Sequence, residues 1–562
     1  MPPAIETRST RQPGSLTVSL PRSILLGLAS AVLLDFCFPV AGPLPPWRAI
    51  LSWIALVPLL YAVLSPASVA HPHYLRRAAL TAYLCGVLWY ILNCYWIYQT
   101  MLLYGHIPAL GSAGIVVLYS AILGLYFGLF GLLIAFFRRR FGLVTALALA
   151  PPLWAALELA ASRITSVPWD QLGYSQVDNL WLTRLAPFTG VYGISFVLVA
   201  VNALLAAAFV APARRARLRT AAAGILFAPV LQAGSFVAEA PSATSTYAVL
   251  LQPNINVAAE DTDWPGAQWN GQISWIIQQS QKTCTRAFAG VPDSPFRTPA
   301  DCTLNTPPPG VILWPETASW FLSSDPRTAS ALATVTTTVH APFIAGMLGQ
   351  DAHGTYNSAV FTQADGAIAG RYDKIHLVPF GEYIPYRNLL FFAHKITHQL
   401  SDLERGTQRT VFHTDGVRGE PAQGRGRSFG AFICYESVFA DEVRLFAKNG
   451  AQVLVNLSDD GWYGDTSAPW QHLNMTRMRA IENDRWLLLD TNSGLTTAID
   501  PRGRVTLSAR RHTLTSLVVR YGYRSDLTFY TRFGDAFAYL CCLVAIAALV
   551  LASLRSRNPV QK

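Results

Sequence analysis

Residues 427–439 read RSFGAFICYESVF. A compact apolar run, Phe429 to Ile433, leads into Cys434, and an acid, Glu436, stands two positions on. Such a run, bounded by polar residues, predicts a buried strand with Cys434 at its C-terminal mouth. Taken alone, Cys434 reads as a nucleophile, as half of a disulfide, or as a small apolar residue filling a core.

Similar runs surround it. YAVLLQPNI (247–255), GVILWPET (310–317), FIAGML (343–348) and AQVLVNLS (451–458) read as further strands. APWQHLNMTRMRAIENDR (468–485) reads as a helix. Apolar strands alternating with helices and loops predict a layered α/β domain with buried sheets over residues 246–517. Residues 280–310, rich in Pro and Thr, and residues 405–428, rich in Gly and Arg, read as mobile surface insertions.

The rest of the chain has another composition. Across 562 residues, 52% are hydrophobic and 14% charged, against about 25% charged in an average soluble protein. Eight apolar stretches are long enough to cross a bilayer at ~20 residues each. They lie near 23–40, 49–65, 78–98, 111–136, 142–161, 190–211, 221–238 and 532–554. The first resembles a signal peptide in length, but further spans follow at once, so it reads as a retained span.

Basic residues orient these spans. With the N-terminus inside, fifteen fall in cytoplasmic segments: Arg8, Arg11, Arg22, Arg76, Arg77, Arg138, Arg139, Arg140, Arg214, Arg215, Arg217, Arg219, Arg555, Arg557 and Lys562. Arg48, Arg163 and Arg184 fall outside. This bias puts both termini in the cytoplasm and residues 239–531 outside, which in a two-membrane bacterium is the periplasm. The net charge of +10 resides in these clusters and not on a soluble face, so no nucleic acid is implied. Asp35 and Glu158 lie within predicted spans, where ionisable groups are costly and often serve function or a polar network.

Cysteine placement separates the readings of Cys434. Cys37, Cys85, Cys94, Cys541 and Cys542 lie in or beside spans. Of the three in the outside domain, Cys284 and Cys302 share one insertion and form the natural candidate disulfide in an oxidising compartment. Cys434 is then the odd thiol. No Cys-x-x-Cys or His-x-x-x-His cluster accompanies it, and no metal is expected. Glu316, in VILWPETASW, and Lys374, in GRYDKIHLVPFGEYIP, stand like Cys434 at the ends of predicted strands, where open α/β sheets place ligands. His376 and His472 remain open as alternative partners of the thiol.

WPET, YDKIHLVPFGEYIP and ICYES, in this order, resemble the nitrilase (carbon–nitrogen hydrolase) superfamily. FGEYIPYR, the eight-span frame, LQPNI, NLSDDGWYGDTSAPWQH and residues 151–202 narrow the resemblance to the bacterial apolipoprotein N-acyltransferase family, over about residues 20–555. The resemblance implies a polytopic α-helical membrane domain plus a nitrilase-like α-β-β-α sandwich. The implied organisation is a cytoplasmic tail (1–22), seven spans (23–238), a periplasmic catalytic domain (246–517), an eighth span (532–554) and a cytoplasmic tail (555–562) in the inner membrane.

The resemblance also implies roles. Glu316 is the general base, Cys434 the nucleophile and Lys374 the oxyanion stabiliser, with the backbone N–H of Tyr435. Glu382 orients the lysine, Tyr435 and Glu436 flank the nucleophile, and Trp264 (with Trp269 the lesser alternative) matches an early-domain tryptophan. The implied reaction moves the sn-1 acyl chain of a phospholipid through a Cys434 thioester to the α-amine of a diacylglyceryl-apolipoprotein, without a cofactor. Two other readings fit parts of the sequence: a membrane-anchored amidase releasing its acyl-enzyme to water, and a transporter with an outside binding domain.

Overall fold

The computed structural model describes residues 19–40, 42–255, 257, 271, 274–275, 278, 309–317, 322–379, 381–383, 403–414 and 426–557. Trp264, Trp269, Cys284 and Cys302 lie outside the described residues.

The apolar N-terminal part folds into helices α1 (Leu20–Asp35), α2 (Pro46–Leu64), α3 (Tyr74–Asn93), α4 (Ala109–Phe141), α5 (Leu143–Ile164), α6 (Val191–Val210) and α7 (Arg214–Gln232). Among the described residues, six helices are long and apolar enough to cross a membrane: α2 to α6 and the last helix, from Ala536. The expectation of eight is not met in full. The first expected span is a helix of 16 residues. The seventh carries Arg214, Arg215, Arg217 and Arg219 in its own opening turns, so its apolar part is shorter than the pattern suggested. Helices α3 and α4 meet through glycine: a Cβ on Gly131 would lie 2.5 Å from Ala82 Cβ and 2.6 Å from the Ala78 carbonyl oxygen. Such contact lets helices pack where lipid supplies no hydrophobic drive.

The remaining strands are β1 (Thr246–Gln252), β2 (Val311–Trp314), β3 (Phe343–Asp351), β4 (Gly354–Thr362), β5 (Ile368–Asp373), β6 (Val411–His413), β7 (Ser428–Ile433), β8 (Val453–Ser458), β9 (Trp486–Thr491), β10 (Thr497–Ile499), β11 (Val505–Ser508) and β12 (Thr515–Tyr521). They form two six-stranded sheets, in the orders β12-β1-β2-β3-β4-β5 and β11-β10-β9-β8-β7-β6. Parallel pairs form each centre, β1-β2-β3 in one and β7-β8-β9 in the other, and the outer pairs are antiparallel. Leu250, Leu313 and Ile344 of the first sheet share one core with Ala431, Val455 and Leu489 of the second. Helix α8 (Pro326–Val339) covers the outer face of the first sheet through Leu332 and Val335. Helices α9 (Ala440–Lys448) and α10 (Ala468–Asn483) lie on the second. The layers are those of an α-β-β-α sandwich. The 405–428 stretch is only partly an insertion, since Val411–His413 pair with β7 as the sheet's edge strand.

Helix α10 joins the two parts of the molecule. All of its side chains except Trp470 are buried, because one face packs on the sheet and the other meets the membrane helices. Its Arg479 and Glu482 pair at 3.0 Å with neither exposed. Arg479 also donates to Tyr174 Oη at 2.8 Å, and Glu482 Oε1 accepts from the Val191 N–H that opens α6, at 3.1 Å. The carboxylate thus satisfies a helix N-terminus while it neutralises a buried cation. Removing one partner strands the other charge, at a cost of about 3–5 kcal/mol. Arg479→Met is therefore expected to lower stability by that amount in thermal unfolding of the detergent-solubilised chain, and Arg479→Met combined with Glu482→Leu to recover most of it. Equal losses in both variants would contradict this account of the joint.

Candidate active site

Glu316 lies two residues beyond β2, Lys374 directly follows β5, and Cys434 directly follows β7. The three strand-end positions expected from sequence are therefore real, and the two sheets bring them together across their common core. Lys374 is 1% exposed, and its Nζ lies 3.0 Å from Glu316 Oε1 and 3.0 Å from Glu382 Oε1. Burial opposes the ammonium, but Glu316 and then Glu382 outweigh it and hold Lys374 above the usual lysine range.

Asn357, on β4, fastens this trio. Its Nδ2 donates to Glu316 Oε1 and to Glu382 Oε1, both at 2.7 Å. Its carbonyl oxygen accepts from the Lys374 N–H at 2.8 Å. The second oxygen of each acid is held by backbone: Asp459 N–H to Glu316 Oε2 at 2.9 Å, and Val378 N–H to Glu382 Oε2 at 2.8 Å. Glu382, expected to orient the lysine, lies in direct contact with its ammonium.

Cys434 is buried and adopts φ 48°. A non-glycine residue in this left-handed region stores about 1 kcal/mol or more, a cost typical of functional turns. Burial pushes the thiol well above its ordinary value; the Glu316 charge adds to this, and Lys374 opposes it. At rest the site holds a neutral thiol within the field of a carboxylate and an ammonium.

Glu436 is 2% exposed, and its carboxylate accepts four donors. They are Ile433 N–H at 2.7 Å, Ile375 N–H at 2.7 Å, His376 N–H at 3.0 Å and Tyr372 Oη at 2.8 Å. These donors flank Cys434 on one side and Lys374 on the other, so one side chain fixes the Cys434 turn against the Lys374 loop. Burial raises the Glu436 carboxyl, and the backbone donors of His376 and Ile433 pull it back. Tyr435 points to the membrane helices: its Oη donates to the Ser166 carbonyl at 3.2 Å, and its ring lies 6.5 Å from Trp169 at an interplanar angle of 21°.

Neither histidine left open by the sequence bonds the thiol. His376 stacks on Phe439 with ring centroids 4.2 Å apart. His472 is fully buried on α10; its Nε2 lies 2.7 Å from Ser437 Oγ and 3.1 Å from the Cys434 carbonyl oxygen, and its Nδ1 lies 3.1 Å from Asp460 Oδ1. It braces the Cys434 backbone. Asn357 carried no motif signal, and Asp459 and Tyr372, though inside motif stretches, were assigned no role; an Asn within an alternating strand and a Tyr two residues before a lysine look like ordinary sheet residues.

Comparison with known proteins agrees with this architecture. Residues 30–204 match the apolipoprotein N-acyltransferase N-terminal domain, and residues 302–520 match the carbon-nitrogen hydrolase family. The chain is 31% identical to the apolipoprotein N-acyltransferase of Geobacter metallireducens, over 94% of this chain and 95% of that protein. It is 30% identical to that of Bordetella bronchiseptica over the whole of both chains. It is 26% identical to that of Chlorobaculum tepidum, over 97% of this chain and 99% of that one. With relatives 30% and 31% identical over nearly the whole of both chains, this membrane protein belongs to the apolipoprotein N-acyltransferase family.

Proposed function

We propose that this chain transfers the sn-1 acyl chain of a phospholipid to the α-amine of the N-terminal diacylglyceryl-cysteine of an apolipoprotein, with Glu316, Lys374 and Cys434 as its catalytic residues. The observation that carries the reading is the buried Lys374 ammonium held between two carboxylates beside a strained, buried thiol. In the first step Glu316 takes the Cys434 proton and sulfur attacks the ester carbonyl carbon. Lys374, with the Tyr435 N–H, stabilises the oxyanion. The carbon–oxygen bond breaks, Glu316 returns the proton to the leaving lysophospholipid oxygen, and a thioester remains. In the second step the amine nitrogen attacks the thioester, the carbon–sulfur bond breaks, and the amine proton passes through Glu316 back to sulfur. One pocket thereby serves two bulky lipids in turn.

Aromatic packing favours transfer over hydrolysis. Trp96, Trp169 and Tyr463 pack with ring centroids 4.8–6.1 Å apart, and Trp169 lies against Tyr435, the residue after the nucleophile. Such a wall keeps water from a thioester while lipids approach along the helices. The charge bias of the connecting segments supports a catalytic domain, residues 246–517, on the periplasmic face of the inner membrane, with both termini in the cytoplasm.

Incubating the full chain with phospholipid is expected to add one acyl mass at Cys434, seen by intact-mass and peptide analysis. A diacylated lipopeptide is then expected to discharge it with formation of an amide. Glu316→Gln is expected to slow acyl-enzyme formation about 100- to 10,000-fold, and Cys434→Ala to abolish it with folding retained. Discharge to water in the presence of acceptor would overturn the transferase reading.

A second consequence follows from Asp459, whose N–H serves Glu316. Burial, reinforced by the Glu316 charge, pushes its carboxyl up to about 8. The folded chain therefore binds a proton there that the unfolded chain releases near pH 4, so this group makes stability fall as pH rises from about 4 to about 8. Asp459→Asn, neutral throughout, is expected to flatten that fall in Tm measured between pH 5 and pH 8.5. An unchanged slope would remove Asp459 as its source.

A further inference from the structure

Behind Trp169, on the membrane side of Tyr435, lies a cavity among α1, α3, α4 and α5. Its walls are aromatic, with Trp89, Tyr90, Trp154 and Trp169 among them, yet two acids, Glu158 and Asp170, also line it. Asp170 is fully buried; its Oδ2 accepts from Asn93 Nδ2 at 2.9 Å, and its Oδ1 has no hydrogen-bond partner among the described residues. Glu158 Oε1 accepts from Trp154 Nε1 and from the Leu172 N–H, both at 2.8 Å. The Ser195 hydroxyl is its further polar partner, and all of its partners are neutral.

No Lys, Arg or His forms an ion pair with either acid among the described residues. Burying acids without a cation is costly, and here two share one cavity. Their surroundings also limit what fills it. Calcium or magnesium needs six or more oxygens, which four aromatic rings do not supply. A primary ammonium has three donors for carboxylate oxygens and a charge that aromatic faces attract.

The cavity is also wired to the nucleophile. Asn93 Oδ1 accepts from Gln471 Nε2 at 3.0 Å, Gln471 Oε1 accepts from Trp169 Nε1 at 2.9 Å, and Gln471 precedes His472, which braces the Cys434 carbonyl.

We propose that this cavity is a binding site for the primary ammonium group of a lipid substrate, held by Asp170 and Glu158 between the rings of Trp89, Trp154 and Trp169. On the acyl-transfer reading, two lipids carry such a group: a donor with an ethanolamine headgroup, and the acceptor with its free α-amine.

Equilibrium binding to full-length Cys434→Ala protein in detergent, followed by tryptophan fluorescence, separates these sources and needs no turnover. One pair of probes is a short-chain phosphatidylethanolamine and its N-acetyl derivative. The other is a diacylglyceryl lipopeptide and its N-acetyl derivative. The member of one pair that carries the free ammonium is expected to bind about tenfold or more tightly than its N-acetyl partner, and that pair names the source. Asp170→Asn in the same background is expected to erase the difference, and Glu158→Gln to reduce it. Absence of discrimination in both pairs overturns the site whether or not the variants fold. Discrimination that survives both substitutions overturns it as well. The acyl-enzyme test on the unmodified chain stands apart, so loss of the transfer reading is not mistaken for loss of the site.

Discussion

A lysine ammonium buried to 1% exposure sets the terms for the rest of the sandwich. Isolated in a low-dielectric interior, such a charge costs several kcal/mol. Glu316 and Glu382 answer it from opposite sides, but bringing two carboxylates to one cation creates a repulsion of its own. Asn357 relieves this by donating to both acids at once, and backbone N–H groups take the remaining oxygens. The result is a set of polar groups in which each member is fixed by at least one other. Lys374 therefore has little freedom to move, which is what an oxyanion-stabilising charge requires.

The same logic extends outward from Glu436. Its carboxylate neutralises no cation directly; it collects donors from two chain segments. One segment carries Lys374 and the other Cys434, and they come from different sheets. The carboxylate sets the spacing between charge and thiol that neither sheet could set alone. The positive φ at Cys434 is held by these contacts and by His472 beneath the carbonyl. Because His472 sits on α10, the nucleophile's backbone is tied to the helix that also contacts the membrane domain through Gln471, Arg479 and Glu482.

Much of this was legible in the sequence, for a physical reason. Strands buried on both faces read as continuous apolar runs, and β1, β2, β3, β7 and β8 all did. A polar residue just past such a run marks a strand mouth, so Glu316 and Cys434 could be picked out before any contact was known, whereas Lys374 follows the half-exposed β5, which makes no such run. The family resemblance added Glu382. Legibility failed where the signal is a contact and not a pattern. Asn357 acts through cross-strand geometry, Asp459 through its backbone N–H, and Tyr372 through a partner 64 residues away. β6 failed for another reason: three residues beside a Gly- and Arg-rich stretch make no run. At the membrane, hydropathy located each helix but not its ends, because the arginines that orient the seventh expected span lie within that helix and not in a loop before it.

Burial explains why two acids on the membrane side differ in kind from those around Lys374. Glu316 and Glu382 share a resident cation, and their oxygens are accounted for by the fold itself. Glu158 and Asp170 have neutral partners alone, and Asp170 Oδ1 makes no hydrogen bond among the described residues. This pair faces a cavity with aromatic walls, joined through Asn93 and Gln471 to the helix that braces the nucleophile. Carboxylates held there by neutral partners are poised for a charge that arrives from outside the chain, and its arrival would be felt along the same hydrogen bonds that position Trp169 beside Tyr435.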